Sequence, residues 1–219
     1  MKSWLELVHW PLEGERCMIM KRAALGFRMH SGWGVLVGVT GDSHSSEIVI
    51  RKRIVVTDPT MRGAKQPYHH AASLRVRESE SHIASCAVVS ERIAWAAIEQ
   101  VLRELDERKC RIEGTAVLLA SGRPLPALAK ILASHPLIHT AEGVFFRTVI
   151  QNACERLNMY VEAIPERDLE RRAKATFGTS ADRVQRRIAT AGSSIGPPWT
   201  KDHKAAALAA LVVLERSFQ

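Results

Sequence analysis

The sequence is poor in aromatic residues and has none of the motifs that identify nucleotide-dependent enzymes. Phe, Trp and Tyr make up 5% of its 219 residues, which argues against an extensive base-stacking surface. It contains no GxxxxGKS/T loop, no GxGxxG after a predicted strand, no GxSxG elbow and no HExxH pair. These absences remove the support for most nucleotide-dependent enzymes and for zinc peptidases.

Cysteines and long apolar runs are also scarce. The four cysteines lie far apart, with no CxxC and no Cys/His pair at the spacing of zinc ligands. We therefore expect small core residues in a reducing compartment rather than disulfides. No stretch approaches the roughly 18 apolar residues that a membrane span needs, and charges interrupt the short apolar run at the start. We predict a cytoplasmic protein that contacts no membrane.

Positive charge is in excess. The sequence has 31 Lys and Arg residues and 23 Asp and Glu residues, which gives a formal net charge of +8. An excess of this size is consistent with a nucleic-acid partner, DNA or RNA. The alternative is a basic surface whose charge is dispersed and serves only solvation.

The hydrophobic pattern predicts an N-terminal extension at 1–20 followed by one domain at 21–219. Five apolar runs have the composition of strands: 23–28, 33–40, 47–56, 115–120 and 160–164. Helical patterns lie between and after the later runs, which gives the order βββαβαβα. We expect the helix that ends near Arg108 to be interrupted by the Ser-rich segment 78–82. This order predicts an α/β fold, a mixed five-stranded sheet with helices on both faces.

The segment 135–157 carries an anomaly. Its apolar positions recur at the three- and four-residue spacing of one helix face, and Glu142 falls in the middle of that face. Arg147 falls on the opposite side, where we expect it to be exposed. A carboxylate on an apolar face must be paired, protonated or bound to a metal, because bare burial costs several kcal/mol. Glu142 is therefore either an ion-pair partner, of Arg28 or Lys204, or a member of a site.

Several stretches point to a family. They are AEGVFFRTVIQNACERLNMYVEAIPERDL, a basic helix with RVQRRI, a Pro-Pro loop, and Asp202 at the start of an Ala-rich last helix. With these stretches the segment 138–214 resembles RuvC-type Holliday-junction resolvases, which have the ribonuclease H-like fold. LGFR at 25–28 and GWGV at 32–35 are similar to the first hairpin of that family. The GFR, HSGW, AEG and PPWT stretches also resemble a bacterial group with incomplete catalytic carboxylates and no assigned activity.

This resemblance implies a ribonuclease H-like sheet, a nucleic-acid partner, Mg²⁺ or Mn²⁺ as cofactor, and a homodimer with the helix at 82–108 as a candidate surface. The departures from the family concern its carboxylates. The family has an aspartate where the best register places Arg28, a glutamate where this chain has Ala120 and Ser121, and a second aspartate where Ala205 stands. Two-metal hydrolysis requires several carboxylates around two ions, and Asp202 is the only direct match.

The candidate site residues follow from the family resemblance and from the Glu142 anomaly. The catalytic candidates are Glu142, Asp202 and His30, and the metal candidates are Glu142, Asp202 and His139. The candidates for binding nucleic acid or another anion are Arg28, Arg123, Arg171, Arg172, Arg183, Arg186 and Arg187. Each has an ordinary alternative: Asp202 caps a helix, and His30 is a satisfied polar residue in a turn.

Three hypotheses about function remain. The first is a nucleic-acid-associated protein whose catalysis is lost or altered; there, Arg28, Glu142 and Asp202 form a salt-bridge cluster in place of the metals, or Arg28 and His30 face an anion. The second is an active Mg²⁺-dependent nuclease that uses Glu142 and Asp202. The third is a structural or interaction protein without a nucleic-acid partner.

Overall fold

The computed structural model describes residues 20–120 and 124–216, which form one sheet and the helices around it. The strands are β1 (Lys21–Met29), β2 (Trp33–Thr40), β3 (Glu47–Val55), β4 (Cys110–Leu119) and β5 (Val161–Pro165). The helices are α1 (Pro67–Ala71), α2 (Val76–Glu107), α3 (Leu128–Leu132), α4 (His135–Arg156), α5 (Leu169–Phe177), α6 (Ala181–Thr190), α7 (Gly192–Ile195) and α8 (Lys201–Arg216). None of the helices in these ranges combines the length and the apolar composition of a membrane span.

The sheet has the order β3-β2-β1-β4-β5. β1 pairs antiparallel with β2 and β2 antiparallel with β3, whereas β1, β4 and β5 run parallel to one another. This topology confirms the predicted mixed sheet of five strands. The carboxyl ends of β1, β4 and β5 lie at one edge of the sheet, so residues that follow these strands are brought together there.

Helices cover both faces of the sheet. Successive residues of a strand point to opposite sides, and the central strands are apolar on both sides, so each side is buried by packing against helices. On one face, α5, α6 and α8 pack over residues such as Ala24, Ala116 and Leu118. On the other, α2 and α4 pack over Leu25 and Phe27. Burial of both faces explains why the central strands read as nearly continuous apolar runs.

The helix α2 has no interruption, so the predicted break at 78–82 is wrong. The N-terminal turn is held by Glu78, whose side chain accepts a hydrogen bond from the backbone N–H of Arg75. The serines of this segment bond back to carbonyls one turn earlier, as Ser81 does to Arg77 at 3.1 Å. Serine favours caps and turns because of such local bonds, and here the bonds are accommodated within the helix.

The cysteines of the described chain are free and buried, as expected: Cys86, Cys110 and Cys154. Burial raises the pKa of Cys154 to about 12, and of Cys86 to about 11. Thiols of this kind are not nucleophiles at neutral pH. Cys17 and the rest of 1–19 lie outside the described residues, so the N-terminal extension stays a prediction. The homodimer also stays a prediction.

Candidate functional site

The side chain of Arg28 lies at the centre of a polar cluster at the carboxyl edge of the sheet. It projects from the end of β1 toward the face covered by α8. One guanidinium nitrogen, Nη1, donates to Oδ1 of Asp202, in the first turn of α8. The other, Nη2, lies 3.0 Å from Oε2 of Glu166, the residue that follows β5. We call these residues, together with His30 and Arg147, the Arg28 cluster.

His30 extends the cluster beyond Asp202. Its Nε2 lies 2.8 Å from Oδ2 of Asp202, and its ring stacks on Trp33 with 4.5 Å between ring centroids. The guanidinium carbon of Arg53 lies 3.9 Å from the Trp33 ring centroid, a cation–π contact. Burial alone would raise the pKa of Asp202, but the hydrogen bond to His30 and the charge of Arg28 outweigh it and hold that pKa below its ordinary value.

On the other side of Arg28, Glu166 contacts Arg147. Oε1 of Glu166 lies 3.6 Å from Nη2 of Arg147. Arg147 is 9% exposed, so the expectation that it faces solvent is wrong. The guanidinium can be buried because it also donates to two backbone carbonyls. Nε donates to the carbonyl oxygen of Leu118 (2.8 Å), and Nη1 donates to that of Gly143 (2.7 Å). Burial lowers the pKa of Arg147, with Glu166 opposing that effect.

The Arg28 cluster does not fit a divalent cation of the kind that the family resemblance implies. Both oxygens of Asp202 are taken, by Arg28 and His30, and both oxygens of Glu166 face a guanidinium. A metal ion would have to displace the Arg28 guanidinium, which already supplies the positive charge between the two carboxylates. The carboxylates of Asp202 and Glu166 are therefore members of an ion-pair network rather than metal ligands.

The depressed pKa of Asp202 gives a prediction about acid stability. Because the pKa is lower in the folded state, the stability that these ion pairs contribute is complete above the unfolded pKa of about 3.9 and is lost as pH falls through the folded value. We expect the difference in unfolding free energy between wild type and Asp202→Asn, measured by urea denaturation, to be largest near about pH 6 and to shrink toward about pH 3. A difference that stays constant over this range would contradict the assignment.

Glu142 does not pair with Arg28 or Lys204, so that one of the two alternatives drawn from the sequence is wrong. It is buried, 2% exposed, as its place on the apolar face predicted. Its Oε1 accepts hydrogen bonds from the backbone N–H groups of Tyr68 (3.0 Å) and His69 (3.1 Å), at the start of α1. The same oxygen lies 3.2 Å from Nδ1 of His69. Burial raises the pKa of Glu142, and these hydrogen bonds oppose the rise.

His139, the third metal candidate, lies near Glu142 rather than near Asp202. Its ring contacts those of His135 and His69, with centroid distances of 4.5 and 4.7 Å. The ligand nitrogens of the three histidines lie within 4.8 Å of one another. The structure therefore divides the metal candidates between two places, with Asp202 in the Arg28 cluster and His139 in this group of histidines.

A cleft of about 470 Å³ opens beside the Arg28 cluster, between α5, α6 and α8. Beyond Arg28, its cationic lining residues are Arg167, Lys201 and Lys204, and its acidic ones are Glu166 and Glu170. The remaining lining residues are Leu169, Gln185, Ile188, Ala189, Ala205 and Leu208. We call this the basic cleft.

Among the described residues, the predicted anion-binding arginines other than Arg28 do not line the basic cleft. Three have partners within the protein: Arg171 pairs with Asp168, Arg172 with Glu162, and Arg187 donates to the Ser43 carbonyl. Arg183 and Arg186 are exposed on α6. Arg123 lies outside the described residues. Their role in binding stays a prediction.

Glu166 and the cleft residues Arg167, Lys201 and Lys204 were not among the predicted site residues. A signal for Glu166 was present, because a residue that directly follows a parallel strand lies at the carboxyl edge of the sheet. The two lysines lie next to Asp202 in the sequence. That position does not predict a cleft, because the other residues that line it belong to α5 and α6.

Comparison with known proteins gives structural likeness only. No protein-family model and no curated protein matches the sequence. RuvC of Thermus thermophilus in complex with a Holliday junction substrate is 11% identical, with a TM-score of 0.45 over 87% of this chain and 91% of that chain. A second structure of Thermus thermophilus RuvC is 10% identical, with a TM-score of 0.45 over 90% and 96%. Likeness at this level says nothing about the role of any residue.

Proposed function

We propose that this protein binds the phosphate backbone of nucleic acid in the basic cleft and does not cleave it at the Arg28 cluster. The observation that carries the proposal is the Arg28 guanidinium, which is bound between Asp202 and Glu166 at the carboxyl edge of the sheet. A hydrolytic metal centre requires free carboxylate oxygens at such a position. Here they are engaged, and the neighbouring cleft is cationic.

The charge of the cleft supports a polyanionic partner. Within the Arg28 cluster, Arg28 and Arg147 balance Asp202 and Glu166, so the cluster adds little net charge. The cleft wall then carries three cations, Arg167, Lys201 and Lys204, against Glu170, which leaves two positive charges. Exposed Lys and Arg side chains that face a cleft bind phosphates by neutralising them and releasing counterions.

The alternative of a Mg²⁺-dependent nuclease built on Glu142 and Asp202 has less support. Glu142 binds the N–H groups at the start of α1, whereas Asp202 binds Arg28 and His30. To share an ion, both carboxylates would have to exchange these partners. The net excess of two positive charges in the basic cleft supports binding over the hypothesis of a wholly dispersed basic surface.

Nucleic-acid binding by the basic cleft gives a prediction about salt dependence. We expect the triple variant Arg167→Ala/Lys201→Ala/Lys204→Ala to bind DNA more weakly and to have a slope of log K against log salt that is smaller in magnitude by about 2 to 3, since each phosphate contact contributes about 0.9. Fluorescence anisotropy with a four-way junction, a duplex, a single strand and duplex RNA measures both quantities. We expect no cleavage of any of them in Mg²⁺ or Mn²⁺.

The matched control removes the same charge elsewhere. Arg62, Arg77 and Lys130 are exposed and lie outside the cleft, so the corresponding triple alanine variant should keep the wild-type slope within about one phosphate contact. Equal losses in the two triple variants would show that general charge is responsible, which would overturn the assignment to the cleft. Metal-dependent cleavage that Asp202→Asn abolishes would overturn the non-catalytic part.

A further inference from the structure

The group of three histidines lies at the junction of α1 and α4. His135 and His139 are four residues apart in the first turns of α4, so their side chains lie on the same face. His69 reaches them from α1, with its ring centroid 5.4 Å from that of His135 and 4.7 Å from that of His139. Neutral imidazole nitrogens are ligands for Zn²⁺ and neighbouring transition metals.

The ring of His69 is held by a buried carboxylate. Its Nδ1 lies 3.2 Å from Oε1 of Glu142, which favours the tautomer that donates from Nδ1 and leaves the Nε2 lone pair free. The two backbone N–H bonds to the same oxygen fix Glu142. Histidines that bind metals almost always donate their other ring N–H to a carboxylate, a carbonyl or water.

Two further features agree with a metal. The second oxygen of Glu142, Oε2, is buried and has no hydrogen-bond partner in the described part of the chain, and the contacts of Oε1 with Tyr68 and His69 are to N–H groups of the backbone and to a ring nitrogen. A cation bound to His69 would supply the positive charge that this carboxylate otherwise lacks. His135 and His139 are exposed, so an ion can enter from solvent and can keep a water molecule as a further ligand.

We propose that His69, His135 and His139 bind one Zn²⁺ ion, with Glu142 as the residue that orients His69 and with water as the fourth ligand. Three nitrogens at the Zn–N distance of about 2.0–2.1 Å lie roughly 3.3 Å apart in a tetrahedral site. The present spacing of up to 4.8 Å closes to that value by small rotations of the exposed rings. Such a site is distinct from the Arg28 cluster and links α1 to α4.

The first test is titration of the untagged protein with Zn²⁺ in competition with a chromophoric chelator. We expect one ion per chain. His135→Ala and His139→Ala should each weaken binding by more than about 100-fold, because loss of a ligand costs more than the 10- to 100-fold typical of an orienting partner. His44, an exposed loop histidine, provides the matched control, and His44→Ala should bind as wild type does.

The role of Glu142 is tested separately, with Glu142→Gln expected to weaken Zn²⁺ binding by about 10- to 100-fold. Because this residue also holds α1, circular dichroism must show that the variant is folded. In wild type, Zn²⁺ should raise the unfolding temperature, and in the His135→Ala/His139→Ala variant it should not. Absence of binding at micromolar Zn²⁺, or tight binding that survives both alanine substitutions, would overturn the proposal.

Discussion

Replacing Arg28 by aspartate is expected to destabilise the protein and to make its stability depend on Mg²⁺. The substitution removes the cation that both Asp202 and Glu166 bind and adds a third carboxylate beside them. Breaking a buried ion pair costs about 3–5 kcal/mol. Here we expect roughly 2–4 kcal/mol, because the side chains of Asp202 and Glu166 are 21% and 32% exposed. A group of carboxylates offers Mg²⁺ the oxygen ligands that it prefers, so millimolar Mg²⁺ should recover much of the loss.

The measurement is urea unfolding with and without Mg²⁺. Arg28→Gln is the matched control, because it removes the same positive charge without adding a ligand. It should lose comparable stability and recover little of it with Mg²⁺. If wild type itself were stabilised by Mg²⁺ and Asp202→Asn abolished that effect, the Arg28 cluster would be a metal centre and the proposed function would be wrong.

The second large effect is expected at Gly26, where α8 lies directly against β1. A Cβ atom at this position would lie 1.9 Å from the carbonyl oxygen of Ala206 and 2.8 Å from its carbonyl carbon. Those atoms belong to the backbone of a buried helix, so they cannot rotate away, and α8 would have to move off the sheet. We expect Gly26→Ala to lower the unfolding free energy by at least about 3 kcal/mol.

For a domain of this size such a loss lowers Tm by roughly 6–12 °C, which thermal unfolding followed by circular dichroism measures. Gly38→Ala, in the adjacent strand, is the control. Its added Cβ would meet side chains rather than helix backbone, Ile50 Cγ2 at 2.6 Å and Leu25 Cδ2 at 3.2 Å. A β-branched side chain such as Ile50 yields only by turning about χ1 or by a small displacement, so we expect a loss of about 1–2 kcal/mol, smaller than at Gly26. Equal losses at the two glycines would show that the approach of α8 is not what the substitution disturbs.

The close approach of α8 also positions the candidate site. Asp202 lies one turn before Ala206, so any movement of α8 away from Gly26 carries Asp202 away from Arg28. The loop that precedes α8 is held from β3, where Nη1 of Arg51 donates to the carbonyl oxygens of Gly196 (2.9 Å) and Pro198 (2.6 Å). The ion pair between Arg28 and Asp202 thus depends on contacts on both sides of Asp202 in the chain. Before it, the loop binds Arg51; after it, Ala206 lies against Gly26.

Local pattern was sufficient for most of the fold. The apolar run 33–40 corresponds to β2, and the Ala-rich segment that opens with Lys201 corresponds to α8. The hydrophobic pattern did not predict the first five residues of β4, Cys110 to Gly114. This segment mixes charged and small residues, and its strand conformation comes from pairing with β1, which is distant in the sequence. The break predicted in α2 was wrong because serine propensity is a weak signal beside a long packed helix face.

The sequence by itself determined that Glu142 is buried, since helical periodicity alone places a side chain on an apolar face. It did not determine what Glu142 binds, because the N–H groups of α1 lie more than 70 positions away along the chain. The family resemblance likewise placed Arg28 where the family has an aspartate, but it did not reveal the partner Glu166, which is 138 positions away. Periodicity reports which side of an element faces the core, whereas ion pairs depend on how the elements are arranged, and only the tertiary structure decided that.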